Sequence, residues 1–470
     1  MTQSPQKSTH FMGAFTLAML SVSAIISLRN FPSTALEGTK AIFFFTIAGL
    51  FFFLPVALSC AELASGWPKK GGVYTWVTEA FGPKWGFLAI WLEWVESVVW
   101  LPTVLSFMAA TTAYLFKPSL ENNSFFIIGM MLTYLWGSTL LNFQGIRTSS
   151  WISTIGVIVG SLLPALVLII LGGSHINTGI KLGNLDFSVS GLFPSGNLSA
   201  LVTFTAILLG FCGMEIPAYH INQVKNPQKS YPKAMFLAAF LILSISILGS
   251  LAISAVIPTS QISLVAGPMQ AFSIFFKNLQ LEWMSPVLAG FTLMGGIALL
   301  NTWIIGPSKG LVTSAEAGFL PKRFMRVNDK EVPTALLLLQ AVVATILSSF
   351  FVFNPSIQSA YWMVNILAAQ LYLMMYFILF ISVIRLRYTQ ALTPRGYKIP
   401  GGKFGVWLVC GSGACACILA IFIGFVPPDN INIQFSTVQY VVLLLGGILV
   451  CTVPPFFFLA KNHKKQTLPK

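Results

Sequence analysis

The chain has 470 residues, of which 56% are hydrophobic and only 9% charged, and its formal net charge is +14. An ordinary soluble domain carries roughly 25% charged residues, so this composition excludes a soluble enzyme, a nucleic-acid-binding domain and a disordered protein. The excess positive charge leaves one question, which is where along the chain it sits.

A helix needs about 20 apolar residues to cross the hydrocarbon core, and such runs recur through the sequence. In chain order the predicted spans are Phe11–Leu36, Ala41–Cys60, Trp85–Phe116, Phe125–Asn142, Trp151–Gly172 and Leu198–Ile221. They continue as Ala234–Ile257, Trp283–Ser314, Thr334–Phe353, Ser359–Ile384, Phe404–Phe425 and Thr437–Ala460. These runs are apolar on all faces, unlike the alternating segments of about 10 residues that build barrels. The sequence therefore predicts an all-α polytopic membrane protein with 12 transmembrane helices, numbered spans 1–12 below. Tails over 1–10 and 461–470 flank them, and the polar stretch 173–197 is read as an external loop. No segment has room for a soluble catalytic domain, so function must reside in the bundle.

Placing the N-terminus in the cytoplasm assigns each loop a side. On that assignment 22 of the 27 Lys and Arg residues fall inside, Lys40, Lys117, Lys181 and Lys277 fall outside, and Arg29 lies within a span. The asymmetry follows from the bias against translocating basic residues in short loops. The +14 is thus an orientation signal, with both termini cytoplasmic, rather than a nucleic-acid footprint.

Span 6 contains Gly210-Phe211-Cys212-Gly213-Met214-Glu215-Ile216-Pro217. Glycine and proline weaken helical hydrogen bonding, and lipid cannot satisfy the freed amides, so such a segment is tolerated where it lines a cavity. Span 1 has a softer counterpart in Ser21-Val22-Ser23 followed by Arg29-Asn30-Phe31-Pro32. Interruptions at corresponding positions predict an inverted-repeat transporter, with broken helices cradling the cargo.

Four ionisable residues are predicted deep in spans: Arg29, Glu93, Glu96 and Glu215. Each costs roughly 2.5–3.5 kcal/mol at a helix centre and so needs a partner or a wet cavity. Glu93 and Glu96 share a helix face, where they either bind a cation, share a proton or pair with Arg29. Tyr372 and Tyr376, four apart on span 10, face one way and present phenols to a zwitterion or its amine. Trp303 follows Asn301 and Thr302 in a polar break of span 8, and His220 ends span 6 as a candidate pH sensor. The six cysteines read as small apolar filler. Cys415-Ala416-Cys417 lacks the spacing of a metal site, no Walker-type motif is present, and no cofactor is expected.

Several ordered motifs carry a family resemblance. They are Gly213-Met214-Glu215, His220-Ile221-Asn222, Asn226-Pro227, Tyr231-Pro232-Lys233-Ala234-Met235, Val256-Ile257-Pro258 and Ala266-Gly267-Pro268-Met269-Gln270. They continue with Trp303-Ile304-Ile305-Gly306-Pro307-Ser308-Lys309-Gly310, Leu320-Pro321, Val332-Pro333, Ile399-Pro400-Gly401-Gly402-Lys403 and Pro427-Pro428-Asp429-Asn430. The set resembles the amino acid–polyamine–organocation superfamily, and within it the bacterial glutamate/GABA antiporter family, over nearly the whole chain.

The resemblance implies a 5+5 inverted repeat, with spans 1–5 over 11–172, spans 6–10 over 198–385, and spans 11–12 added over 404–460. It implies a multi-pass protein of the bacterial inner membrane that exchanges an external amino acid for an internal amino acid or decarboxylated amine. Such exchange pairs with an amino acid decarboxylase and supports acid resistance. Carried over by position, Ser21, Val22 and Ser23, together with Gly210, Phe211, Cys212 and Gly213, look like unwound segments that cradle the substrate. Glu215, Trp303, Tyr372 and Tyr376 match the family's functional positions in spans 6, 8 and 10. The Glu93/Glu96 pair departs from the family's glutamate carriers and favours a neutral or cationic substrate. A proton-coupled uniporter or symporter on the same fold is the alternative reading, and an integral-membrane enzyme a remote one.

Overall fold

The computed structural model describes residues 12–144, 156–177, 185–194, 201–330, 332–353, 356–429, 431–433 and 435–467. Among them the regular structure is helical, and the sole β-type contact is a parallel bridge between Met12 and Val224. There the Lys225 N–H donates to the Met12 carbonyl at 2.8 Å.

Among the described residues, ten helices are long and apolar enough to cross a membrane. They are span 2 (Lys40–Gly66), span 3 (Pro83–Phe116), span 4 (Ser124–Asn142), span 5 (Ile158–His175) and span 7 (Pro227–Val256). The others are span 8 (Met284–Glu316), span 9 (Thr334–Phe351), span 10 (Ile357–Thr389), span 11 (Gly402–Ile423) and span 12 (Thr437–Ala460). Span 1 is a pair, Ala14–Ile25 and Leu28–Ala35, bent by 42°, which makes an eleventh crossing if counted as one. Spans 1 and 6, the two predicted to be broken, are the two that do not run as continuous helices. Span 6 consists of a short helix, Val202–Gly210, and a 3-10 stretch, Ile216–Gln223, separated by an unwound segment. Each piece is too short to cross alone.

Other boundaries shift for local reasons. Span 2 runs past its predicted end at Cys60 to Gly66 and takes Glu62 into the helix. Span 7 begins early at Pro227, where a missing N–H costs nothing. Span 12 starts in a capping box between Ser436 and Gln439, and a further helix, Pro454–Thr467, enters what was predicted as a tail. The predicted start of span 5 at Trp151, part of the 173–197 loop and the side chain of His220 lie outside the described residues.

Burial ranks the spans. An apolar 18-residue stretch of spans 3, 8 and 10 is 94%, 78% and 72% buried inside the protein, against 11% for that of span 12. Spans 3, 8 and 10 thus form the inner core, with span 12 facing lipid. Span 3 has 34 residues and at 1.5 Å per residue is about 51 Å long, well beyond the ~30 Å hydrocarbon core. Two short helices, Val73–Phe81 and Gly267–Asn278, follow spans 2 and 7 at matching places.

Candidate functional site

The two breaks face each other. The first helix of span 1 ends at Ile25, and Ile26 and Ser27 are extended before a 3-10 turn over Leu28–Asn30. The helix of span 6 ends at Gly210. Gly213 has φ +118°, a backbone conformation that side chains strain. A Cβ placed there would stand 3.2 Å from both Ile25 Cγ1 and Trp303 Cζ2. The breaks are thus packed against each other and against span 8. Trp303 joins them, because its indole Nε1–H donates to the Ala24 carbonyl at 2.9 Å and supplies a donor that the broken helix no longer provides.

Between the breaks lies a narrow cavity of about 10 Å³, room for about one water molecule, lined by Ala24, Ile25, Arg29, Asn30, Glu96, Trp100, Leu209, Gly210, Cys212, Trp303 and Tyr372. Arg29 is 2% exposed and rigidly held. Its Nη1 donates to Thr103 Oγ1 at 3.0 Å, to the Tyr361 hydroxyl at 2.9 Å and to Asn365 Oδ1 at 3.0 Å, while Nη2 donates to Asn30 Oδ1 at 2.7 Å. The guanidinium lies 5.0 Å from the centre of the Trp100 ring, within cation–π range. Its Nε–H is buried without an acceptor, and so is Glu96 Oε2 without a donor. A buried group left unmet costs about 1–3 kcal/mol, more when charged.

Behind the cavity the remaining carboxylates are bound by phenols. The Tyr372 and Tyr376 hydroxyls donate to the two oxygens of Glu215, and the Gly213 N–H donates to the Tyr376 oxygen at 2.8 Å. Tyr219, one turn beyond Glu215, donates to Glu93 Oε2 at 2.6 Å. Trp303 packs edge-on against Tyr372, with centroids 5.9 Å apart.

Several expectations change. Ser21, Val22 and Ser23 are helical rather than unwound, and the helix accommodates the Ser21 and Ser23 hydroxyls by letting them bond back to the Leu17 and Leu20 carbonyls. The break falls at Ile26–Ser27, and Ala24 and Ile25 line the cavity instead. Phe211 is not on the cavity wall but stacks on Phe53, 4.5 Å between centroids. Tyr376 serves Glu215 and Gly213 and is not a cavity-lining residue. Among the described residues Arg29 forms no ion pair with Glu93 or Glu96; neutral oxygens hold it. Gly210, Cys212, Trp303, Tyr372, Arg29 and Glu96 converge on the cavity. Sequence reasoning missed Asn30, Tyr219 and Asn365 as partners. A polar Asn365 within an apolar span and a tyrosine four residues after Glu215 were the available signals.

A helical bundle with two facing breaks around a charged internal cavity is a membrane-carrier architecture. The family model for amino acid permeases matches residues 12–449, and the chain belongs to that family. It is 43% identical over 459 residues to an uncharacterized transporter of Legionella pneumophila, covering 98% of both chains. It is 31% identical to a glutamate/gamma-aminobutyrate antiporter of Lactococcus lactis, over 98% of this chain and 92% of the relative. A probable agmatine/putrescine antiporter of the same species is 24% identical over 82% and 81%.

Proposed function

We propose that this chain is a secondary-active amino acid antiporter of the bacterial inner membrane, with both termini in the cytoplasm. It exchanges an external amino acid for an internal amino acid or its decarboxylated amine by alternating access. The observation that carries this reading is the pair of unmet groups facing the narrow cavity between the breaks, one donor, Arg29 Nε, and one acceptor, Glu96 Oε2. A small zwitterion satisfies both once the breaks part to admit it. Its carboxylate meets the guanidinium, and its ammonium group meets Glu96. The helix ends at Ile25 and Gly210 also present C-terminal carbonyls, whose partial negative charge favours an ammonium group.

Ser21–Ser23 and Phe211 act behind the lining in this reading, and Trp303 and Tyr372 form the wall that closes over the cargo. Glu215 and Glu93 couple cargo or protons to the movement of span 6, since their phenol bonds connect span 6 to spans 10 and 3. The antiporter relatives support exchange as the mode. Spans 1–5 and 6–10 serve as the two repeats, and an internal decarboxylase would supply the amine and consume a proton, which aids survival in acid.

The test is labelled uptake into proteoliposomes preloaded with each amino acid or amine at acid and neutral pH. Uptake is expected to rise strongly with one preload. Equal uptake into empty vesicles would replace exchange with proton-coupled uptake on the same fold.

A further inference from the structure

A second cavity, of about 150 Å³, sits at the end of the bundle that bears the loop between spans 8 and 9. Its walls include Trp94, Leu311, Leu336, Leu339 and Phe458, and Arg323 stands among the lining residues. Leu339 is 38% exposed, and its neighbours Leu338 and Val342 are 43% and 47% exposed. Large apolar side chains exposed along a spanning helix face hydrocarbon, so the cavity adjoins the bilayer and is separate from the central cargo site. Two observations show that it wants more than a hydrocarbon tail. Trp94 is 4% exposed and its Nε1–H has no acceptor. Arg323 also belongs to the basic turn Lys322-Arg323-Phe324-Met325-Arg326, and none of its three cations forms an ion pair with an acidic side chain among the described residues. The Arg323 guanidinium rests 4.8 Å from the centre of the Phe324 ring, at the height where an apolar wall gives way to charge.

We propose that this cavity seats one anionic phospholipid from the adjoining leaflet, the cytoplasmic one in the orientation proposed above. One acyl chain lies along Leu311, Leu336 and Leu339, the phosphate meets Arg323 and its basic neighbours, and the Trp94 indole donates to a headgroup or ester oxygen. Charge complementarity selects the occupant. A zwitterionic lipid would bring its ammonium group to a cluster of cations, whereas an anionic headgroup neutralises them.

Native mass spectrometry of the full-length protein released from mixed phosphatidylglycerol/phosphatidylethanolamine nanodiscs tests this. Retention of phosphatidylglycerol is expected to exceed that of phosphatidylethanolamine by about tenfold. Arg323→Gln removes the charge, Leu339→Trp fills the mouth, and each is expected to abolish the preference while leaving the central exchange site intact. Equal retention of the two lipids, or undiminished preference in either variant, overturns the proposal. Thermal stabilisation by inorganic phosphate equal to that by phosphatidylglycerol overturns the lipid as the occupant.

Discussion

Two regions of this molecule bury ionic groups, and they treat them in opposite ways. At the end of span 2, Glu62 is 1% exposed and saturated. Arg387 grips it through both Nε and Nη2, Arg395 Nη1 donates at 2.7 Å, and the Ile399 N–H donates at 2.8 Å. Arg395 also caps the Leu386 and Gln390 carbonyls and lies 4.8 Å from the centre of the Trp67 ring. In the middle of the bundle, Arg29 and three carboxylates are equally buried, yet no ion pair forms among them and Arg29 Nε and Glu96 Oε2 stay unmet. The paired cluster ties span 2, span 10 and the following loop into one unit, with both Glu62 oxygens met although Arg395 Nε, like Arg29 Nε, has no acceptor. In the proposed function the unpaired central groups hold binding capacity in reserve for a cargo. Burial alone does not separate the two regions, and neither does an unmet guanidinium N–H; whether the carboxylate is paired with a cation does.

Substitutions sharpen the contrast. The largest effect is expected for Glu62→Gln, which strands two arginines in an apolar setting. Breaking a buried pair costs about 3–5 kcal/mol, and thermal unfolding in detergent should show a large drop. A melting temperature like that of the parent would remove the structural role of the cluster. Glu215→Gln comes next, because it loses two charge-assisted phenol bonds of about 1.5–3 kcal/mol each. Exchange in proteoliposomes should fall by about tenfold or more, with a smaller loss of melting temperature than Glu62→Gln. Unaltered kinetics would take Glu215 out of the transport cycle.

Glu96→Gln replaces a carboxyl oxygen that no donor meets and should leave stability nearly intact. It should shift the ranking of cationic and neutral over acidic cargo several-fold, on the order of 1 kcal/mol; an unchanged ranking in counterflow would separate Glu96 from selectivity. The smallest effect belongs to the connecting helix Val73–Phe81. Lys69 donates to Glu79 at 2.6 Å and holds its carboxyl below the usual carboxylate range. A group depressed in this way contributes stability above its unfolded value and loses it as pH falls through the folded one. The pair is partly exposed, so Glu79→Gln should cost at most about 1 kcal/mol at neutral pH and nothing once the pH lies below the folded value. Melting curves between neutral and acid pH would show the two proteins converging; a constant gap would refute the pairing.

The sequence was most readable where membrane physics penalises a residue type. Glu215 among glycines and a proline was legible because a carboxylate and two helix breakers in an apolar run have few other uses. The break in span 1 was not legible at its true place. Ile26 and Ser27 carry no breaker signature, and the unwinding is held by distant groups, among them the Trp303 indole on the Ala24 carbonyl. Ser21 and Ser23 misled because a serine hydroxyl serves a helix and a break equally well. Glu62 was hidden for a different reason. It follows an apolar run and so reads as loop, and only the continuation of span 2 to Gly66 buries it. The two spans whose interruption the sequence announced, 1 and 6, are the two that do not run as continuous helices.

Gly213 sets a division of labour over evolutionary time. Its φ of +118° strains any other side chain, and the 3.2 Å approaches to Ile25 and Trp303 require those neighbours to give way, so the backbone frame around the proposed cargo site resists change. Backbone amides and carbonyls also read only what all amino acids share. New specificities must therefore come from the wall opposite, where Glu96 and Trp100 on span 3 occupy a regular helix that accepts exchange of side chains. A lineage could change its cargo by editing that single helix while its transport machinery stays untouched.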